Sequence, residues 1–260
     1  MQPPRWRWCS ISSRSCRPRA PSFSVWGNFA LTQTDDEHPI ARRVHVAFIA
    51  PTPTHVDHFG RAGIDAGFAD DGPAGPRLHY ADDYYAAFLK DREGNSFEAV
   101  HRDGHRPSDN IDHVAIRVGD LDASTVFYWT IADAVGLTIR WQTVDRAAFS
   151  IDESEASFIV AAGESTQNVH VAFSGNDDEV RRFHADAIAA GYRGNGEPGE
   201  RPQYHNGDYY YSAYVLDPDG NNIELVNHHR TSPEPERGLQ LPPSGEKRVH
   251  DVRVSDQPAA

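Results

Sequence analysis

Apolar and polar positions alternate in short bursts along this chain, and the bursts recur twice in the same order. Val44-His45-Val46-Ala47-Phe48 returns as Val169-His170-Val171-Ala172-Phe173. A period of two with β-branched residues predicts a strand. After each copy the apolar positions shift to helical spacing. They are Val56, Phe59 and Ile64 up to Gly67, and Val180, Phe183, Ala187 and Ile188 up to Gly191. Tyrosine-rich alternation follows, as Asp83-Tyr84-Tyr85-Ala86-Ala87-Phe88 and as Tyr209-Tyr210-Tyr211-Ser212-Ala213-Tyr214. Each copy then closes on a Gly-Asn turn and a glutamate, Gly94-Asn95-Ser96-Phe97-Glu98 and Gly220-Asn221-Asn222-Ile223-Glu224. A repeat of this length governs any fold assignment. It sets His45 against His170 and Glu98 against Glu224.

Between the copies, Ile111-Asp112-His113-Val114-Ala115-Ile116-Arg117-Val118 also predicts a strand. Gly119-Asp120-Leu121-Asp122 starts a helix carrying Val126, Phe127 and Ile131 on one face. Strands are expected around 138–143, 147–151 and 157–161, which completes a β-α-β-β-β unit. A second unit starts at 168–174, with a helix over 177–190. Its strands near 209–216 and 222–227 are joined by the turn Asp217-Pro218-Asp219-Gly220. The expected organisation is a complete, metal-binding second module over 108–229 and a truncated first module over 22–107. In the first module the counterpart of the His113 strand and its helix is missing. Such a truncation exposes a sheet edge, which the second module or a homodimer partner would cover.

The ends carry no such pattern. Residues 1–21 hold Arg5, Arg7, Arg14, Arg17 and Arg19 and resemble an organelle transit peptide in composition; they read as a disordered basic tail. Residues 230–260 are rich in Pro, Glu, Ser and Arg and read as a solvated, disordered tail. These ends explain part of the low hydrophobic content, 38%. The net charge of −13 argues against nucleic acid as a partner, because phosphate contacts need a basic surface. No apolar run reaches the roughly 18 residues of a membrane span. Cys9 and Cys16 lie outside the repeat and offer neither a disulfide framework nor a paired zinc motif. A reducing cytoplasmic location is the expectation that follows.

The paired β-α-β-β-β units, the Asp112-His113-Val114 strand, Phe127-Tyr128 in the first helix, and Asp217-Pro218-Asp219-Gly220-Asn221-Asn222-Ile223-Glu224 resemble the vicinal oxygen chelate superfamily. That superfamily holds glyoxalases, bleomycin-resistance proteins and extradiol dioxygenases. The resemblance covers about residues 23–229 and implies an α+β fold in which curled mixed sheets hold metal ligands on inward strand positions. Carried over, the ligands are His113, His170 and Glu224. Two imidazoles and one carboxylate are the facial triad of non-haem Fe(II) oxygenases. His205, Tyr214 and Glu224 keep the spacing of the extradiol dioxygenase closing signature, although Gln203 and Ala213 depart from its usual residues. By that resemblance His205 and Tyr214 line the pocket of a catechol-like substrate and assist hydrogen bonding and proton transfer.

Glyoxalase-type sites take a fourth ligand, a carboxylate from the strand before His170. Here that strand reads Ser157-Phe158-Ile159-Val160-Ala161, without an acid. His45 and Glu98 alone would hold metal weakly, which gives the first module a structural role unless another chain supplies a third ligand. Fe(II) is favoured, with Mn, Ni, Co or Zn as alternatives. A divalent-metal isomerase or lyase and a metal-free small-molecule binding protein remain open beside the dioxygenase.

Overall fold

A computed structural model of the chain describes residues 6–10, 24–26, 29–35, 38–103, 111–150, 157–204 and 209–230. Within them the chain divides into two compact units. A central unit draws on residues 41–121 and 139–167. A flanking unit draws, among the described residues, on those up to 40, on 122–138 and on 168–230.

The central unit is built on an eight-stranded sheet. Its first half is β4 (His45–Ile49), α1 (Pro53–Asp65), β5 (Ala69–Pro76), β6 (Tyr85–Lys90) and β7 (Ser96–His101). Its other strands are β8 (Ile111–Val118), β9 (Thr138–Gln142), β10 (Arg146–Ser150) and β11 (Phe158–Ala162). The strand order is β5-β6-β7-β4-β8-β11-β10-β9. Each half places its first strand parallel to its last, β4 beside β7 and β8 beside β11. A parallel pair needs a crossover connection, which is why a helix follows each His-bearing strand. The halves join through antiparallel β4 and β8, with Val46 opposite Val114 and Ala47 opposite His113. The fully buried rings of Phe149 and Phe158 anchor the core of the second half. Burial of such a ring contributes about 1.5–3 kcal/mol.

The flanking unit holds a four-stranded sheet of order β12-β15-β14-β13. Its elements are β12 (His170–Ser174), α3 (Asp177–Ala189), β13 (Gly194–Glu200), a 3-10 turn at Pro202–Tyr204, β14 (Tyr209–Leu216) and β15 (Asn222–Arg230). Asn176 and Glu179 cap α3 reciprocally, and Gly191 ends the helix region at φ 89°. The helix α2 (Leu121–Val135) belongs almost wholly to this unit. There Phe127 meets Tyr192 edge-on at 4.8 Å, and the Tyr128 hydroxyl donates to Asp217 Oδ2 at 3.1 Å. A three-stranded sheet of order β1-β3-β2 completes the unit: β1 (Trp6–Ser10), β2 (Ser24–Trp26) and β3 (Phe29–Gln33). β1 falls within the stretch read as a basic tail. Residues 231–260, read as the second tail, lie outside the described residues.

The α+β architecture of β-α-β-β-β units in mixed, open sheets is the one expected. Strands β5 and β13 were not expected, because their Gly- and Pro-rich sequences have poor strand propensity. Both are edge strands with register shifts, the positions where proline and bulges are tolerated. Glycine is required inside them. A Cβ on Gly196 would sit 2.6 Å from the Tyr214 ring, and one on Gly72 would sit 2.9 Å from the Phe88 ring.

Candidate metal centre

The Gly-Asn-x-x-Glu motif works by aiming its glutamate at the preceding histidine strand. Asp91 Oδ1 accepts from the backbone N–H groups of Glu93 and Asn95, and Gly94 takes φ 79° to close the turn. Asn95 then clamps the start of β4: its Oδ1 accepts from Val44 N–H at 3.1 Å and its Nδ2 donates to Ala41 O at 3.1 Å. This fixes the β4–β7 register, with His45 opposite Ser96 and Ala47 opposite Glu98. The flanking unit repeats the device. Asp217 turns the chain, Gly220 takes φ 87°, and Asn221 accepts from Val169 N–H, so that Ala172 stands opposite Glu224.

In the central unit three ligand-type atoms converge. His45 Nε2 lies 3.0 Å from His113 Nε2 and 3.1 Å from Glu98 Oε2, and His113 Nε2 lies 3.4 Å from the same oxygen. Among the described residues these three form the group able to hold a metal ion. Glu98 and His113 are buried, and His45 retains 20% side-chain exposure. Each ligand has a partner behind it. The Tyr84 hydroxyl donates to Glu98 Oε1 at 2.6 Å. His113 Nδ1 lies 2.8 Å from Asp112 Oδ1, and Arg102 donates to the other Asp112 oxygen at 2.7 Å. His45 Nδ1 lies 3.1 Å from Ser96 Oγ.

Those partners assign the tautomers. A carboxylate has only lone pairs to offer, so His113 Nδ1 carries the proton. The single Ser96 proton is donated to Asp71 Oδ2, so Ser96 Oγ accepts from His45 Nδ1–H. When both rings are neutral, both Nε2 atoms present lone pairs, towards each other and towards a carboxylate oxygen. A cation satisfies such a set. An extra proton on His45 is disfavoured: burial pulls its imidazole below the usual value and His113 adds to this, against the opposing pull of Glu98. A metal ion meets the requirement by geometry. Ligands about 2.1 Å from one ion stand roughly 3.0 Å apart in octahedral cis positions and roughly 3.4 Å apart in a tetrahedron.

The position of a fourth carboxylate is filled by an apolar residue. Glu98 and Glu224 stand opposite Ala47 and Ala172, two residues beyond their histidines. Two residues beyond His113 is Ala115, and its partner across the parallel pair is Ile159, which is buried.

The sequence-predicted residues distribute as follows. His113 lies in the central unit with His45 and Glu98, because β8 pairs with β4. His170 and Glu224 lie in the flanking unit and meet each other, Nε2 to Oε2 at 2.7 Å. The Tyr210 hydroxyl donates to Glu224 Oε1 at 2.8 Å, the counterpart of Tyr84 on Glu98. Burial pushes the Glu224 carboxyl up, but His170, Tyr210 and Tyr214 outweigh it and hold it below the usual range. Tyr214 stands opposite Glu224 with its ring 5.9 Å from His170, and burial drives its phenol well above the usual value. Tyr214 also lines a cleft of ≈ 570 Å³ with Asn195, Arg201, Tyr204 and Asn222. His205 lies outside the described residues. The counterpart of Tyr214 in the central unit is Phe88, opposite Glu98 and 6.2 Å from the His45 ring. The sequence pairs His45 with Glu98 but offers them no third ligand; the likeness of the His45 and His113 strands is the signal that they could pair.

Residues 110–225 match the model of the Glyoxalase/Bleomycin resistance protein/Dioxygenase superfamily. Among solved structures, glyoxalase I from Zea mays is similar at 21% identity and a TM-score of 0.51, over 72% of this chain and 68% of that one. One mutant of the maize enzyme gives 23% identity and a TM-score of 0.51, over 71% and 66%. Another gives 22% and 0.52, over 72% and 70%. The chain therefore spans about two thirds of the length of these structures, and the likeness is one of fold. No curated protein matches the chain.

Proposed function

We propose that this chain, whose residues 110–225 match the model of the Glyoxalase/Bleomycin resistance protein/Dioxygenase superfamily, is a divalent-metal enzyme centred on His45, Glu98 and His113. The observation that carries the reading is the convergence of two imidazole Nε2 atoms and one buried carboxylate oxygen, all within 3.4 Å of one another. Two histidines and one carboxylate suit Fe(II). With Ile159 in place of a fourth ligand, the centre suits a small substrate presenting two adjacent oxygens. The finer reading is extradiol-type dioxygenation of a catechol-like diol. A bound ion would supply Lewis-acid charge stabilisation and a template for the two substrate oxygens.

The chain's own residues set the stage for that chemistry. Tyr84 engages Glu98 Oε1, leaving Oε2 to face the imidazoles. Asp112 and Ser96 hold the Nδ1 protons, so both rings present Nε2. Phe88 places an apolar ring beside His45, which excludes water from that side.

Phe88 also favours a second reading. The tyrosine that the dioxygenase resemblance uses to hold substrate is in the flanking unit, and a phenylalanine takes its place at this centre. An isomerase or lyase, which moves a proton rather than adding oxygen, needs no phenol there.

The test is elemental analysis of anaerobically purified protein beside His113→Ala, followed by oxygen-uptake assays with catechols. Stoichiometric iron, lost in the variant, with catechol-dependent oxygen uptake is the expected result. Another divalent metal, with solvent-proton exchange into a 2-oxo substrate and no oxygen uptake, favours the isomerase or lyase. Metal content that is nil, or unchanged by His113→Ala, overturns the centre.

A further inference from the structure

The two histidine–glutamate pairs have the same ligands and the same tyrosine behind the glutamate, yet the side chains behind the histidine differ. In the central unit His45 Nδ1 meets Ser96 Oγ, Ser96 donates to Asp71 Oδ2 at 3.1 Å, and Lys90 Nζ holds Asp71 Oδ1 at 2.6 Å. The chain of contacts crosses the sheet from β4 through β7 to β5 and β6. In the flanking unit Asn222 stands opposite His170 where Ser96 stands opposite His45. Asn195, which precedes Gly196 as Asp71 precedes Gly72, donates to Asn222 Oδ1 at 2.9 Å. A hydroxyl backed by a carboxylate on one side is thus replaced by a neutral amide pair on the other.

We infer that Ser96 and Asp71 form an outer relay that positions His45 as an Nε2 ligand, and that this relay distinguishes the centre at His45 from the pair at His170. The inference rests on the metal-centre reading above. Its physics is general. An imidazole bound through one nitrogen is held in tautomer and orientation by an acceptor on the other, and loss of that acceptor typically weakens metal binding 10- to 100-fold. His113 has a buried carboxylate in this role, in direct contact. His45 has the same charge one hydroxyl removed and partly exposed: Asp71 keeps 28% and Lys90 43% side-chain exposure. The effect at His45 therefore belongs near the lower end, about 10-fold. Ser96 meets His45 directly and Asp71 meets it through Ser96, so both act as positioning residues.

The experiment titrates the purified full chain with Co(II), reading the ligand-field absorption, and with Zn(II) against a chromophoric chelator. The proteins are the wild type, His113→Ala, Ser96→Ala, Ser96→Thr, and Asn222→Ala as the counterpart control. The relay predicts that Ser96→Ala weakens both metals about 10-fold and alters the Co(II) spectrum, while the melting temperature of the metal-free protein is unchanged. Ser96→Thr, which keeps the hydroxyl, restores affinity and spectrum, and Asn222→Ala changes neither. Affinity within twofold of wild type in Ser96→Ala, when His113→Ala has abolished binding, overturns the relay and leaves the centre standing. A wild type that binds no metal, or one that His113→Ala leaves unaffected, overturns both.

Discussion

Replacing Tyr84 by Phe removes one oxygen from a fully buried position and separates two roles of the same hydroxyl. The Tyr84 hydroxyl donates to Glu98 Oε1 at 2.6 Å, and both residues are buried, Tyr84 at 1% exposure and Glu98 at 0%. A hydrogen bond to a charged group contributes about 1.5–3 kcal/mol. In Tyr84→Phe water cannot readily replace the lost donor, so the upper half of that range applies to the metal-free protein. For chains of 150–250 residues a loss of 1 kcal/mol lowers the melting temperature by about 2–4 °C, so a drop of roughly 4–12 °C is expected here. With metal, Glu98 also loses the contact that orients it, and binding should weaken by about 10-fold or more. Saturating metal would then rescue the variant less than the wild type by about 1.4 kcal/mol at equal metal concentration. The assay is thermal and urea unfolding of both proteins with and without Zn(II). Tyr210→Phe is the internal control, because its hydroxyl makes the equivalent 2.8 Å bond to Glu224. It should lower metal-free stability by a similar amount and leave metal affinity unchanged. A Tyr84→Phe protein that melts within about 1 °C of wild type and is rescued equally by metal would refute the reasoning.

Further outcomes follow from the same geometry. Ile159→Glu puts a carboxylate at the apolar counterpart of Glu98; it should destabilise the metal-free protein by several kcal/mol and tighten metal binding, with fewer exchangeable waters by Mn(II) relaxometry. Unchanged water exchange would show that Ile159 does not face the ion. Asn95→Ala removes the clamp between the β7 turn and Val44, and unfolding by denaturant should report a loss of about 1–3 kcal/mol together with weaker metal binding. A stability loss with metal affinity intact would mean the β4–β7 register holds without the clamp.

Much of the fold follows from local pattern. Each histidine strand leads by a crossover helix to a parallel neighbour, and the Asp-x-x-Gly-Asn turn pins that neighbour through Asn95 or Asn221. The pairing of His45 with Glu98 and of His170 with Glu224 is therefore written inside each repeat, within reach of periodicity and turn chemistry. So is the absence of an acid from 157–161, since strand register alone puts Ile159 opposite Ala115. Strands β5 and β13 escaped pattern reading because their glycines serve the rings of Phe88 and Tyr214 rather than strand propensity.

The repeat, its β-α-β-β-β units, the α+β class and the histidine–glutamate pair in each copy are all written in local pattern. Which strand the His113 strand pairs with is settled by sheet assembly instead. His113 stands in a strand whose neighbours on both sides are chosen by edge pairing. Val-His-Val-Ala recurs at β4 and β12, so local pattern does not single out β4 as the neighbour of β8. Antiparallel pairing with β4 sets Ala47 opposite His113 and brings His45, Glu98 and His113 to one point. The third ligand is thus a property of sheet assembly, set by non-local backbone hydrogen bonds and the burial of Val46 and Val114, which no single segment of the chain contains.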